Sequence, residues 1–366
     1  MAELWKDRLN HETIREFANV IKSEYDPFPV EEFLKSTVDE SWSGLELMAR
    51  GRKICVNLGK YLPADYSEAL AVIDKVIDKY KGMAVYSLVD FIEVFGQNEA
   101  NWELSVSAME RYTQYASAEF VVRPFIVKNE ERMMARMYAW SKHDNEHVRR
   151  LSSEGCRPQL PWGQALAGFK KDPSPVLPII TQLKTDPSAY VRKSVANNIN
   201  DISKTHPDLI VKLAQDWYGE NEYTDWIIKH GCRTLLKKGN RDALAIFGYQ
   251  DVTAVDVSGF TIDRASVPFG GEMTFSFEIL SETPTKVRLE YGIDYVKANG
   301  KRNRKIFQIS EISLKGKTKK AYSKKHSFEE LSTRKHYPGL HSITLIVNGA
   351  ERGTLDFELL APGASK

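Results

Sequence analysis

The chain has 366 residues, 42% of them hydrophobic and 27% charged, with a formal net charge of +2. That length provides for two domains with separate cores, and the composition excludes collagen-like and disordered classes. No apolar run approaches the ~20 residues that span a bilayer, and the opening MAELWKDRLNHETIREF lacks the apolar centre of a secretory signal. A cytoplasmic location is expected. Cys55, Cys156 and Cys232 form no CxxC pair, which argues against a disulfide framework or a cysteine zinc site and for small buried residues.

Charge is unevenly spread. Residues 1–122 carry 13 Lys/Arg against 21 Asp/Glu, a balance of −8, whereas residues 123–241 carry 20 against 13, or +7. Residues 251–366 carry 18 against 14, or +4. Basic charge confined to the later two-thirds is the distribution expected of an electrostatic footprint for nucleic acid.

Residues 1–250 read as successive helices. Within residues 65–80, Leu70, Ile73, Val76, Ile77 and Tyr80 recur at helical spacing, with Asp65 as the cap. An approximate repeat follows. Asp144-Asn-Glu-His-Val148-Arg149-Arg150 resembles Asp186-Pro-Ser-Ala-Tyr-Val191-Arg192-Lys193, with the two valines 43 residues apart. A weaker third copy is read from Asp225 into Lys229 and Arg233. In this pattern Asp caps a helix, Val packs inward and a small residue admits the neighbouring helix. Periods near ~40 residues indicate HEAT-like helical repeats.

The texture changes near residue 251. Residues 274–279, 287–291, 343–347 and 354–359 alternate apolar and polar, and Asn348-Gly349 between the last two signals a hairpin. The expectation is an all-α HEAT-like solenoid over residues 1–250, then an immunoglobulin-like β-sandwich over residues 251–366. The last residues, 361–366, read as a frayed tail.

Eleven Lys/Arg and one acid, Glu311, lie within residues 297–325. Lys301, Arg302, Arg304 and Lys305 cluster beside the turn dipeptide Asn299-Gly300, as a hairpin loop suited to phosphate contacts. Edge protection of an exposed strand is the alternative reading. In the helical part, Glu119, Glu154 and Asp201 stand in unusual settings at roughly repeat-related positions, so that they would line one groove. Salt bridges or helix caps remain the simpler account of each. Trp162, in a proline-bracketed loop, is placed either to stack on a sugar or base or to plug a gap between helices. His143-Asp-Asn-Glu146-His147 spells H-x-x-E-H, but Asp144 as a cap would leave His143 outside the helix, which disfavours zinc.

The stretch His147-Val-Arg-Arg-Leu-Ser-Ser-Glu154-Gly-Cys-Arg-Pro-Gln-Leu-Pro-Trp162 closely resembles the core of bacterial DNA alkylation repair proteins of the AlkC type. Ser117-Ala-Glu119-Phe-Val-Val-Arg-Pro-Phe125 and Val191-Arg-Lys-Ser-Val-Ala-Asn-Asn-Ile-Asn-Asp201 are similar to two further landmarks of that family. A subset of the family also carries the C-terminal immunoglobulin-like domain. The resemblance implies a DNA glycosylase releasing cationic bases such as 3-methyladenine and 3-methylcytosine, with 1-methyladenine a further candidate, without full base flipping. It implies catalytic roles for Glu119, Glu154 and Asp201, with Trp162 at the lesion. On that reading Arg149, Arg150, Arg157, Arg192, Lys193, Lys229 and Arg233 are candidate phosphate clamps. The implied protein is a monomer on alkylated double-stranded DNA, nucleoid-associated when bound, needing neither cofactor nor metal. The competing class is a non-enzymatic scaffold binding nucleic acid or protein, since helical-repeat folds serve more often as scaffolds.

Overall fold

The computed structural model describes residues 4–249, 253, 255–330 and 335–363. The boundary expected at 250/251 and the last three residues of the expected tail lie outside the described residues. The chain divides into two compact units: residues up to 205 with 219–231, and residues 206–218 with everything from 232 onward.

Helices fill the chain up to residue 246. The first six are α1 (His11–Glu24), α2 (Val30–Thr37), α3 (Leu47–Tyr61), α4 (Tyr66–Val76), α5 (Val85–Phe95) and α6 (Trp102–Tyr112). Next come α7 (Val122–Lys128), α8 (Glu130–Trp140), α9 (Glu146–Gly155), α10 (Ala167–Lys171), α11 (Leu177–Gln182) and α12 (Ala189–Ile202). The series ends with α13 (Pro207–Trp217), α14 (Glu222–Gly231), α15 (Arg233–Lys237) and α16 (Arg241–Ile246). Asp65 caps α4 as expected, accepting from the backbone N–H of Ser67 and Glu68. The helix stops at Val76, although Ile77 and Tyr80 beyond it are also buried.

The repeat is built differently from its sequence reading. Asn145 and Ser188 cap α9 and α12, rather than Asp144 and Asp186. The third copy starts at α14, where Asn221 rather than Asp225 accepts from Tyr223 N–H. Asp186 instead joins two repeats, because its carboxylate takes Arg149 from the preceding repeat at 2.7 and 3.2 Å. Arg149 also donates to its own turn, at the carbonyls of His143 and Asp144. Arg192 repeats that reach onto the carbonyls of Asp186 and Pro187. An Arg five to six residues into each repeat thus ties its own turn down, and Arg149 also grips the next turn. Packing of α9 on α12 and of α12 on α14 completes the layer. Across α9 and α12, Ser153 and Ser194 share a hydrogen bond of 2.7 Å, and Asn198 donates to the Ser153 carbonyl at 2.8 Å.

The second unit contains α13, α15, α16 and a two-sheet sandwich. Its strands are β1 (Asp256–Ile262), β2 (Ser266–Val267), β3 (Glu272–Ser281), β4 (Thr285–Val296), β5 (Arg302–Leu314), β6 (Thr318–Ser327), β7 (Gly339–Val347) and β8 (Ala350–Leu359). One sheet has the order β1-β3-β6 and the other β2-β8-β7-β4-β5. All pairings are antiparallel except β2 with β8. Period-two alternation aims Met273, Phe275, Phe277 and Ile279 of β3 at the core, together with Val287, Leu289, Tyr291 and Ile293 of β4. Lys286, near the start of β4, donates to the Phe247 carbonyl at 3.1 Å and so ties the segment after α16 to this strand. Asn348 and Gly349 adopt φ of 47° and 77°, the left-handed pair that a two-residue turn between β7 and β8 requires.

Candidate active site in the helical unit

The three carboxylates lie along one chain of alternating charge. Glu119 precedes α7 and pairs with Arg150, in the second turn of α9. Arg150 reaches Glu154 across one helical turn at 3.5 Å, and its Nη1 also donates to Ser117 at 2.8 Å. Arg157, just past the end of α9, donates to Glu154 Oε1 at 2.6 Å and to Asp201 Oδ2 at 2.8 Å. Lys204 closes the series on Asp201 Oδ1 at 2.8 Å. Glu154, Arg157 and Asp201 are only 5%, 7% and 4% exposed. Ion pairs at that depth hold their geometry because losing a partner leaves a desolvated charge.

The oxygens are not used equally. Both Asp201 oxygens are engaged, by Arg157 and Lys204. Among the described residues, the hydrogen bonds to Glu119 and Glu154 all fall on one oxygen each, Oε2 and Oε1. The second oxygen of each glutamate, Oε1 of Glu119 and Oε2 of Glu154, takes none of these bonds. The Arg150 guanidinium also lies 5.0 Å from the centre of the Tyr190 ring, which makes a T-shaped contact with His147 at 5.6 Å between ring centres.

Trp162 is held out rather than buried. It is 81% exposed and has a φ of 65°, a conformation that costs a bulky residue about 1–3 kcal/mol. It follows Pro161 in the loop after α9 and does not plug a gap between helices. Arg123 of α7 is wholly buried behind this loop. Its Nε donates to the Gln164 carbonyl at 2.5 Å and its Nη1 to the Gly155 carbonyl at 2.8 Å. Burial pulls its pKa down to about 10. Nearby, burial pushes the Cys156 thiol up to about 12, so it stays an inert thiol at neutral pH.

The expected basic residues differ in burial and in their partners. Arg149, Arg150, Arg157 and Arg192 are internal clamps, committed to carboxylates or turn carbonyls. Lys193 is exposed on α12, and Lys229 and Arg233 are half-buried. In the sandwich the basic hairpin is tighter than its sequence reading. The turn occupies residues 297–301, with the Lys297 N–H donating to the Lys301 carbonyl at 2.8 Å, so Arg302, Arg304 and Lys305 already belong to β5. Arg302 donates to Ser342 at 2.8 Å, and Arg304 pairs with Asp294 and Glu351. Of the two histidines spelled H-x-x-E-H, His143 lies before α9 and accepts from Asn145 N–H, while His147 packs on Tyr190.

Arg123, Ser117 and Tyr190 escaped the sequence reading as site residues. Arg123 had a signal, a lone charge inside Val121-Val122-Arg123-Pro124-Phe125. Arg150, Glu154 and Arg157 also had one, since spacings of four and three place them on one helix face.

A family model described as "DNA alkylation repair enzyme" matches residues 52–235, and one described as "Uncharacterised protein YhaZ, C-terminal Ig-like domain" matches residues 256–361. The chain is 46% identical over 359 residues to a Bacillus subtilis (strain 168) protein, the uncharacterized protein YhaZ, covering 98% of this chain and 100% of that one. It is also similar to the solved Pseudomonas fluorescens alkylpurine DNA glycosylase AlkC bound to DNA containing an abasic site analog. The identity there is 35% and the TM-score 0.93, covering 97% of this chain and 99% of that chain.

Proposed function

Because the chain belongs to the DNA alkylation repair enzyme family, we propose that it is a DNA glycosylase that releases cationic alkylated bases, 3-methyladenine and 3-methylcytosine foremost and 1-methyladenine with them. It acts as a monomer on double-stranded DNA in base excision repair, in the cytoplasm and at the nucleoid. The observation that carries this reading is the pair Glu119 and Glu154, each fixed by arginine through one oxygen and presenting the other.

A base alkylated on a ring nitrogen is positively charged and leaves without prior protonation. The bond from C1′ to the base nitrogen breaks, and its electron pair neutralises the departing base. The sugar becomes an oxocarbenium ion, which the two carboxylates stabilise. Water held by a glutamate oxygen then adds to C1′ and passes its proton to that carboxylate, leaving a hemiacetal abasic site. Asp201, with both oxygens occupied, acts through Arg157 rather than on water. Trp162, held outward, meets the lesion sugar from an exposed loop, so extrusion of the base into a deep pocket is not required. Lys193, Lys229, Arg233 and the β4–β5 hairpin bind phosphates.

The test is incubation of purified protein with methylated duplex DNA and mass spectrometry of the released bases. Glu154→Gln should keep its affinity for lesion DNA and lose base release by about a hundredfold or more, whereas Asp201→Asn should lose less. Uracil released as readily as 3-methyladenine would refute selection for cationic bases. Binding without any release would make the protein a scaffold.

A further inference from the structure

We propose that Arg123 is a positioning residue that braces the Trp162 loop from behind, a role that rests on the glycosylase reading for its effect on base release. The loop leaves α9 at Gly155, immediately after Glu154, and returns toward α10 through Gln164. Arg123 donates to the carbonyls at both of these points, at 2.8 and 2.5 Å. One buried side chain thus sets where the loop departs and where it comes back, with Trp162 between.

Three further observations fit a brace. Beyond Arg157, which is itself anchored on Glu154 and Asp201, the backbone bonds within the loop among the described residues are long: Gly163 N–H donates to the Leu160 carbonyl and Leu166 N–H to the Pro158 carbonyl, both at 3.2 Å. Trp162 sits in the left-handed region at φ 65°, a conformation that persists only where the surroundings over-determine it. The loop also rests on the segment that carries Arg123, since a Cβ on Gly163 would lie 3.1 Å from Phe120. Phe120, Glu119 and Arg123 share the short stretch entering α7, so the element that supplies one reacting carboxylate also fixes the tryptophan. Such a link pre-orders the groups that meet the sugar, so less ordering is left for the moment of reaction.

Arg123 is costly to keep there. It is fully buried, its Nη2 has no hydrogen-bond partner, and no carboxylate bonds its guanidinium among the described contacts. A residue needed only to fill space would be apolar at this position.

Two measurements decide the matter. Single-turnover base release at saturating enzyme is compared for Arg123→Met and Arg123→Lys, each with Trp162 intact and with Trp162→Ala. With Trp162 present, Arg123→Met should slow release about ten- to a hundredfold, and Arg123→Lys, which keeps one donor arm, should recover part of it. In the Trp162→Ala background the Met change should add less than about twofold. Equal slowing in both backgrounds, or none, overturns the proposal. The second measurement needs no folded variant. Chymotrypsin cleavage of the full-length wild-type chain after Trp162, mapped by mass spectrometry across a urea series, should rise only with global unfolding. Cleavage there that is independent of urea below the transition would show an unbraced loop and overturn the proposal. If the wild type releases no base, the glycosylase reading fails, while the cleavage experiment still judges the brace.

Discussion

His341 is fully buried in the sandwich, stacked on Phe357 and hydrogen-bonded through Nδ1 to the Gly339 carbonyl. Burial lowers its pKa, and the positive charge of Arg302 acts in the same direction, against the Gly339 bond. The folded protein therefore binds this proton less readily than the unfolded chain, where histidine titrates near ~6.5. Its contribution to stability is complete above that value and is lost as pH falls below it toward the lowered folded pKa. Urea midpoints taken from about pH 7.5 to about pH 5 should fall, and His341→Phe should remove part of that slope. An unchanged slope in the variant would place the acid sensitivity elsewhere. The glutamates of the site follow a different logic at this scale. Glu154 pairs with the guanidiniums of Arg150 and Arg157 at a largely buried position, so truncating it strands those charges and should cost stability, whereas Glu154→Gln keeps the shape and an acceptor.

At the scale of elements, the repeat is fastened by Arg149 and Asp186. The carboxylate of Asp186, buried in the turn before α12, takes two bonds from Arg149 and one from the Ser188 N–H at 2.8 Å. Asp186→Ala strands a largely desolvated guanidinium and an N–H together, so thermal or urea unfolding should report a loss of about 2–4 kcal/mol. Asp186→Asn should lose less. A close approach of helices gives a second prediction. A Cβ on Gly155 would lie 2.5 Å from Val122 Cγ1, so Gly155→Ala should push the end of α9 off α7 and destabilise by roughly 1–3 kcal/mol. These fastenings also mark the limit of what the sequence revealed. Helical periodicity, the 43-residue spacing and the Asn-Gly turn were legible because each is a local pattern. The choice of Ser188 over Asp186 as a cap was not, because the Asp186 carboxylate takes Arg149 arriving from the preceding repeat. Likewise Arg150 and Arg157 were visible as charges, but whether a guanidinium faces a phosphate or a buried carboxylate is settled by packing.

For the molecule as a whole, the balances of −8, +7 and +4 along the chain would concentrate attraction for the proposed DNA in the later two-thirds, yet formal charge overstates how much is available to phosphate. A guanidinium already matched by carboxylates gains little from a phosphate, since binding must first undo its own pair, whereas an exposed lysine exchanges only water and releases a condensed counterion. Lys193 on α12 and Lys301 at the β4–β5 turn are exposed; Arg304 is held between Asp294 and Glu351. Lys193→Ala and Lys301→Ala should each reduce the slope of log affinity against log salt by about 0.9, with little change in preference between methylated and unmethylated duplex. Arg304→Ala should leave that slope nearly unchanged and instead lower the thermal stability of the full-length protein. Fluorescence anisotropy with labelled duplex at several salt concentrations reads the three slopes side by side. If Arg304→Ala reduces the slope as much as Lys301→Ala does, the arginine must release its acids on DNA, and phosphate contact would follow total charge rather than the charge left unmatched by the fold.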